Sequence, residues 1–94
     1  MKNYAWSPEK NALLKETRGV GFEDIVFHIE ADDEISVVDH PNQERYPGQH
    51  ISIVKIDGYA YLVPFVESDT EVFLKTIIPS RKATQDARKK NEKT

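Results

Sequence analysis

The stretch His50-Ile51-Ser52-Ile53-Val54-Lys55-Ile56-Asp57-Gly58-Tyr59-Ala60-Tyr61-Leu62-Val63-Pro64-Phe65-Val66 decides the fold. Two β-branched and aromatic runs flank a single Asp-Gly pair. That pair is a strong two-residue hairpin signal, because both positions of the turn require positive φ. The first run predicts a strand over 50–56 and the second a strand over 59–66. The second run is apolar on both faces, so it belongs in the centre of a sheet. Pro64 conflicts with that placement, since it has no N–H for the ladder, and a bulge or local break is expected there.

Working outward, Glu34-Ile35-Ser36-Val37-Val38-Asp39 reads as a strand preceding the hairpin, joined to it by a polar loop from His40 to Gln49. After Ser68-Asp69-Thr70, the run Val72-Phe73-Leu74-Lys75-Thr76-Ile77-Ile78 reads as a fourth strand that Pro79 ends. Upstream, Ser7-Pro8-Glu9 opens a helix as cap, first helical position and acidic first turn, and Gly19 stops it. Phe22, Ile25, Val26 and Ile29 then fall at i, i+3, i+4 and i+7, the stripe of a second helix. Tyr4-Ala5-Trp6 fits a short edge strand. A last helix from Ser80 offers the core only Ala83 and Ala87, and residues from about 85 to 94 read as a basic tail or fraying helix end. The expected architecture is a single α+β domain over residues 1–94. Two N-terminal helices pack on one face of a four-stranded antiparallel sheet, and a basic C-terminal helix follows.

Ninety-four residues suit one core. A chain of this size buries only roughly 60–65% of its unfolded surface, so it is expected to lean on a partner. Cysteine is absent, which excludes disulfides and thiolate metal sites and fits a reducing cytoplasm. No signal-peptide-like or membrane-spanning run is present, so a soluble cytoplasmic protein is expected. The net charge of −3 conceals an asymmetry. Residues 1–75 carry seven lysines and arginines against fourteen acids, whereas residues 76–94 carry six against two. A basic end on an acidic body suits an anionic partner, and equally suits a solvated terminus.

Two segments carry chemistry. At Ser80-Arg81-Lys82-Ala83-Thr84 a strand feeds a helix N-terminus. Free backbone N–H groups, two cations and the hydroxyls of Ser80 and Thr84 could hold a phosphate there, although the same residues make an ordinary capped helix start. The loop from His40 to His50 collects His40, Glu44, Arg45, Tyr46 and His50. RNA cleavage by the 2′-hydroxyl needs a base, a cation on the phosphate and an acid. Glu44 or His50 fits the proton-transfer role and Arg45 the cation. The composition also fits a plain surface loop. Trp6 and the tyrosines can stack on bases or pack in the core. Neither the three histidines nor the acidic run Glu30, Asp32, Asp33, Glu34 has metal-ligand spacing, so no metal or other cofactor is expected.

The pieces Trp6-x3-Lys10-Asn11, Gly19-Val20-x-Phe22-Glu23-Asp24, Glu44-Arg45 and above all Ile77-Ile78-Pro79-Ser80-Arg81-Lys82-Ala83-Thr84 resemble BrnT-type toxins of bacterial type II toxin–antitoxin systems, within the RelE-like ribonuclease fold group. Thr17-Arg18-Gly19 stands where that family usually has Lys-His-Gly. The resemblance implies a metal-independent endoribonuclease that stops translation. It implies neutralisation by a small cognate antitoxin, typically with a ribbon-helix-helix DNA-binding half, and repression of the operon by the complex, so that operator DNA is met only through the antitoxin. It places functional arginines at Arg45 and Arg81, with Lys82, Trp6 and Lys10 as further RNA contacts. RelE-like folds also host non-catalytic binding modules, including topoisomerase poisons and repressor scaffolds.

Overall fold

The computed structural model describes residues 2–92, with side chains described for residues 2–88. Short-range chemistry sets the helix ends. Helix α1 (Pro8–Arg18) starts where the Ser7 hydroxyl accepts the Lys10 N–H at 3.2 Å, with Pro8 in the first turn. It ends at Gly19, whose φ of 72° makes the left-handed cap that glycine adopts without strain. Helix α2 (Phe22–Glu30) starts with the Gly21 N–H donating to the Asp24 carboxylate at 2.9 Å. Phe22 and Ile25 are fully buried, and Val26 and Ile29 pack against the same core.

The strands are β1 (Asn3–Ala5), β2 (Glu34–Asp39), β3 (His50–Ile56), β4 (Tyr59–Glu67), β5 (Glu71–Leu74) and β6 (Ile78–Pro79). Helix α3 (Arg81–Glu92) closes the described chain, and the last two residues of the expected basic tail lie outside the described residues. The hairpin forms as read: Asp57 and Gly58 both have positive φ, and β3 and β4 pair from Ile56↔Tyr59 to His50↔Phe65.

The α+β class stands, but the sheet is not a four-stranded antiparallel meander. It has six strands in the order β1-β5-β4-β3-β2, with β6 also on β4, and it is mixed because β1 runs parallel to β5. The expected fourth strand is split. Pro64 accepts the Lys75 N–H at 2.8 Å, so its backbone points at that neighbour, and its nitrogen has nothing to donate there. β5 pairs with β4 on one side of this point and β6 on the other. The break expected at Pro64 therefore appears in the adjoining strand, while β4 stays continuous. Ile77, within the break, is fully buried in the core.

The helices do not share one face. Val54, Ile56, Val63, Phe65 and Leu74 join Leu14, Phe22 and Ile25 in one core. Ile53 alternates to the opposite face and borders a groove with Ala83 and Ala87. Helices α1 and α2 thus cover one side of the sheet and α3 crosses the other. The Thr84 hydroxyl anchors α3 to β4 by accepting the Ala60 N–H at 2.8 Å.

Candidate functional site

The loop between β2 and β3 is braced from within. The His40 N–H donates to the Gln49 carbonyl at 3.0 Å, and the Tyr46 N–H to the Asn42 carbonyl at 3.0 Å. Gln43 acts as a strut: its amide nitrogen donates to the His40 and Gln49 carbonyls at 2.8 and 3.0 Å, while its oxygen accepts the Gly48 N–H at 3.1 Å. Composition marks this segment only as a polar loop and assigns Gln43 no role. The signal was a lone glutamine among turn residues, which is ambiguous until the loop closes on it.

This bracing positions a surface. The rings of His40 and Tyr46 lie 4.5 Å apart, and the Arg45 guanidinium sits 5.5 Å from the Tyr46 ring centre. His40, Tyr46, Gln49, Pro64, Lys75 and Thr76 border a cleft of about 340 Å³. Among the described residues no carboxylate lines it. The Nδ1 of His40 accepts the Asn42 N–H at 3.0 Å, so the neutral ring carries its hydrogen on Nε2 as a donor. The cleft thus offers a ring for stacking, two cations nearby and an N–H donor. That set suits an unpaired base with its phosphate. Lys75 was read only as part of a strand; the split between β5 and β6 brings it here.

The predicted site residues do not form one constellation. Neither Arg45 nor Glu44 borders the cleft itself: Arg45 lies against the Tyr46 ring at its rim, and Glu44 is exposed next to it in the chain. His50 is opposite Phe65, on the face of α1 and α2, whereas the cleft borders Pro64 on the other face. Its Nδ1 lies 2.9 Å from the Asp39 carboxylate. Arg81 and Lys82 are exposed in the first turn of α3, and the Ser80 N–H binds the Ala60 carbonyl. Ala60 is five residues from Phe65 along β4, about 17 Å at strand spacing. The backbone of the junction thus lies at the far end of the sheet from the loop.

Ser80, Thr84 and Trp6 serve the fold. The Ser80 hydroxyl caps α3 by accepting the Ala83 N–H at 3.1 Å. Thr84 is buried at 6% exposure and its hydroxyl is engaged on both sides, so the phosphate cradle expected from these two hydroxyls is not open. Trp6 stacks on Phe22 with ring centres 5.7 Å apart, inside the core boundary. Lys10 is half-buried on α1, and Ser7 holds its N–H.

Among the described residues no cluster of three or more His, Asp or Glu is placed to hold a metal. Within the acidic run, Asp33 pairs with His28 and Glu34 accepts the Ser52 hydroxyl. No helix among the described residues is long and apolar enough to cross a membrane. Neither a family model, a curated protein nor a solved structure matches the chain.

Proposed function

We propose that the chain is a cytoplasmic endoribonuclease toxin of a type II toxin–antitoxin system, acting on single-stranded RNA at the cleft of His40, Tyr46 and Lys75. The observation that carries the reading is the Arg45 guanidinium over the Tyr46 ring at the edge of a cleft that also holds an imidazole and a lysine. In this reading Tyr46 stacks on an unpaired base. Arg45 and Lys75 neutralise the scissile phosphate, and the Nε2–H of His40 donates to a non-bridging oxygen. Glu44, exposed next to Arg45 and outside the lining of the cleft, takes the 2′-hydroxyl proton of a strand that runs past the rim, since His50 lies on the other face of the sheet. The 2′-oxygen then attacks phosphorus, the bond to the 5′-oxygen breaks, and a solvent proton completes the leaving hydroxyl. Arg81 and Lys82 contact phosphates further along the strand.

A cognate antitoxin fits a separate groove of the molecule. The groove beside Ala83 and Ala87 is bordered by Ile35 and Ile53, and β2 lies at the edge of the sheet. A ribbon-helix-helix protein docked there would neutralise the toxin and carry the complex to operator DNA.

The test uses antitoxin-free protein and RNA in EDTA. Cleavage is expected, and Lys75→Ala or Arg45→Ala should slow it by about 10²–10³ while leaving the fold intact. Absence of cleavage by the parent chain, or unchanged rates in both variants, would defeat the reading. The dispersal of Arg81 and His50 away from the loop cleft favours one alternative, a non-catalytic module that poisons DNA topoisomerase or scaffolds a repressor. Inducing the chain alone separates the two. Translation stops first for the ribonuclease, replication stops first for the poison, and growth continues for the scaffold.

A further inference from the structure

A second cleft, of about 450 Å³, opens on the other face of the sheet, between the α1–α2 junction and the β3–β4 hairpin. Arg18, Asp24, His28, Asp57, Tyr59 and Tyr61 border it. Its volume lies within the range of small-molecule sites, about 300–1,000 Å³. The loop cleft shares no residue with it.

The chemistry of its lining is specific. The Nδ1 of His28 lies 2.8 Å from the Asp33 carboxylate. A carboxylate only accepts, so the neutral ring carries its hydrogen on Nδ1 and leaves Nε2 as an acceptor. Tyr59 and Tyr61 alternate to the same face of β4, with ring centres 5.6 Å apart and planes at 62°. One ring can thus be covered by a flat ligand while the other meets the ligand's edge. Arg18, exposed in the last turn of α1, is the cation of the lining. The two carboxylates differ. Asp24 is engaged by the Gly21 N–H, whereas Asp57 stands at the tip of the hairpin, exposed.

We infer that this cleft binds a single guanine nucleotide. The base lies against the tyrosine pair, its phosphate meets Arg18, and a ribose hydroxyl donates to Nε2 of His28. Asp57 selects the base. A carboxylate accepts two parallel N–H bonds, and guanine presents its N1–H and N2–H₂ side by side. Adenine sets one donor beside an acceptor, and the carboxylate would face that acceptor unpaired. The site stands independently of the ribonuclease reading, since it concerns binding of a free nucleotide at different residues.

The experiment is a titration of the purified full chain, followed by backbone amide NMR, with 5′-GMP, 5′-AMP and inorganic phosphate. GMP is expected to shift the amides of Arg18, His28, Asp57 and Tyr59. It should bind at least about tenfold more tightly than AMP or phosphate, a difference of one well-placed pair of hydrogen bonds. Asp57→Asn keeps the turn, because asparagine tolerates its positive φ, and should abolish the preference for GMP without unfolding the chain. Tyr59→Ala should weaken both nucleotides. The inference is overturned if GMP shifts nothing, if phosphate binds as well as GMP, if the shifts fall on residues 40–49 and Lys75 instead, or if Asp57→Asn retains the preference. RNA cleavage that survives Asp57→Asn leaves the loop cleft intact as the ribonuclease site, and cleavage lost in Lys75→Ala leaves this one intact.

Discussion

The hydroxyl of Thr84 accepts the N–H of Ala60 at 2.8 Å and donates to the carbonyl of Ser80 at 2.7 Å, joining the first turn of α3 to the start of β4. Thr84 is buried, and Ala60 is almost wholly excluded from water. Thr84→Val keeps the shape of the side chain but strands the Ala60 N–H. That should cost about 1–3 kcal/mol in urea unfolding, whereas Thr84→Ser should retain most of the stability. Equal stability of the valine variant and the parent would show that Ala60 finds another acceptor and that this anchor is not needed.

Trp6 tests the difference between a packing and a binding residue. Its ring is stacked on Phe22 at 5.7 Å, and Phe22 is completely buried. Trp6→Ala should destabilise the fold by about 1–3 kcal/mol, from lost apolar burial and the aromatic pair. Trp6→Phe should recover much of that and bind RNA like the parent. A well-folded Trp6→Phe protein that has lost RNA affinity would return Trp6 to the nucleic-acid surface.

Glu23 gives a pH prediction. Hydrogen bonds from Lys15 and then from the Asn11 amide, each at 2.8 Å, hold its carboxyl at about 2, below the usual 4.5. The folded state therefore favours the ionised form. This contribution is complete above about 4.5 and is lost as the pH falls from there through about 2. Carboxyl carbon NMR should show a Glu23 midpoint near 2 in the parent. In Lys15→Ala the midpoint should rise toward 4.5. A midpoint that ignores Lys15 would mean that the ion pair does not persist in solution.

Gln43 should act at a distance from any substrate. Gln43→Ala removes three hydrogen bonds that close the loop over His40 and Gly48. The side chain is exposed, so global stability should change by less than about 1 kcal/mol. Amide exchange of residues 42–48 should accelerate, and RNA affinity at the loop cleft should fall. Unchanged exchange in that segment would show that the backbone bonds alone hold the loop.

The parts of the candidate site that were legible in the sequence are those built within one segment. Arg45, Tyr46 and His40 lie in one ten-residue loop, so their proximity followed from the chain itself. The place of Lys75 was not legible, because it depends on β5 ending at Leu74 and on Pro64 in a different strand turning its backbone toward that break. The same holds for Ser80 and Thr84. A hydroxyl near a helix start reads alike whether it meets a phosphate or a buried N–H, and only the packing of α3 on Ala60 decides.

The sequence alone determined the helix starts and stops, the apolar stripe of α2 and the Asp57–Gly58 hairpin. Each is local: a cap meets an N–H three residues away, and a turn needs two positive φ angles in succession. Tertiary structure alone decided that Asn3 pairs in parallel with Glu71, that the last expected strand divides, that α3 crosses the face opposite α1 and α2, and that His50 and Arg81 stand apart from the loop cleft. Those outcomes depend on contacts between residues far apart in the chain. Neither the periodicity of one strand nor the charge of one segment specifies which distant partner will supply the missing hydrogen bond or cover the exposed face.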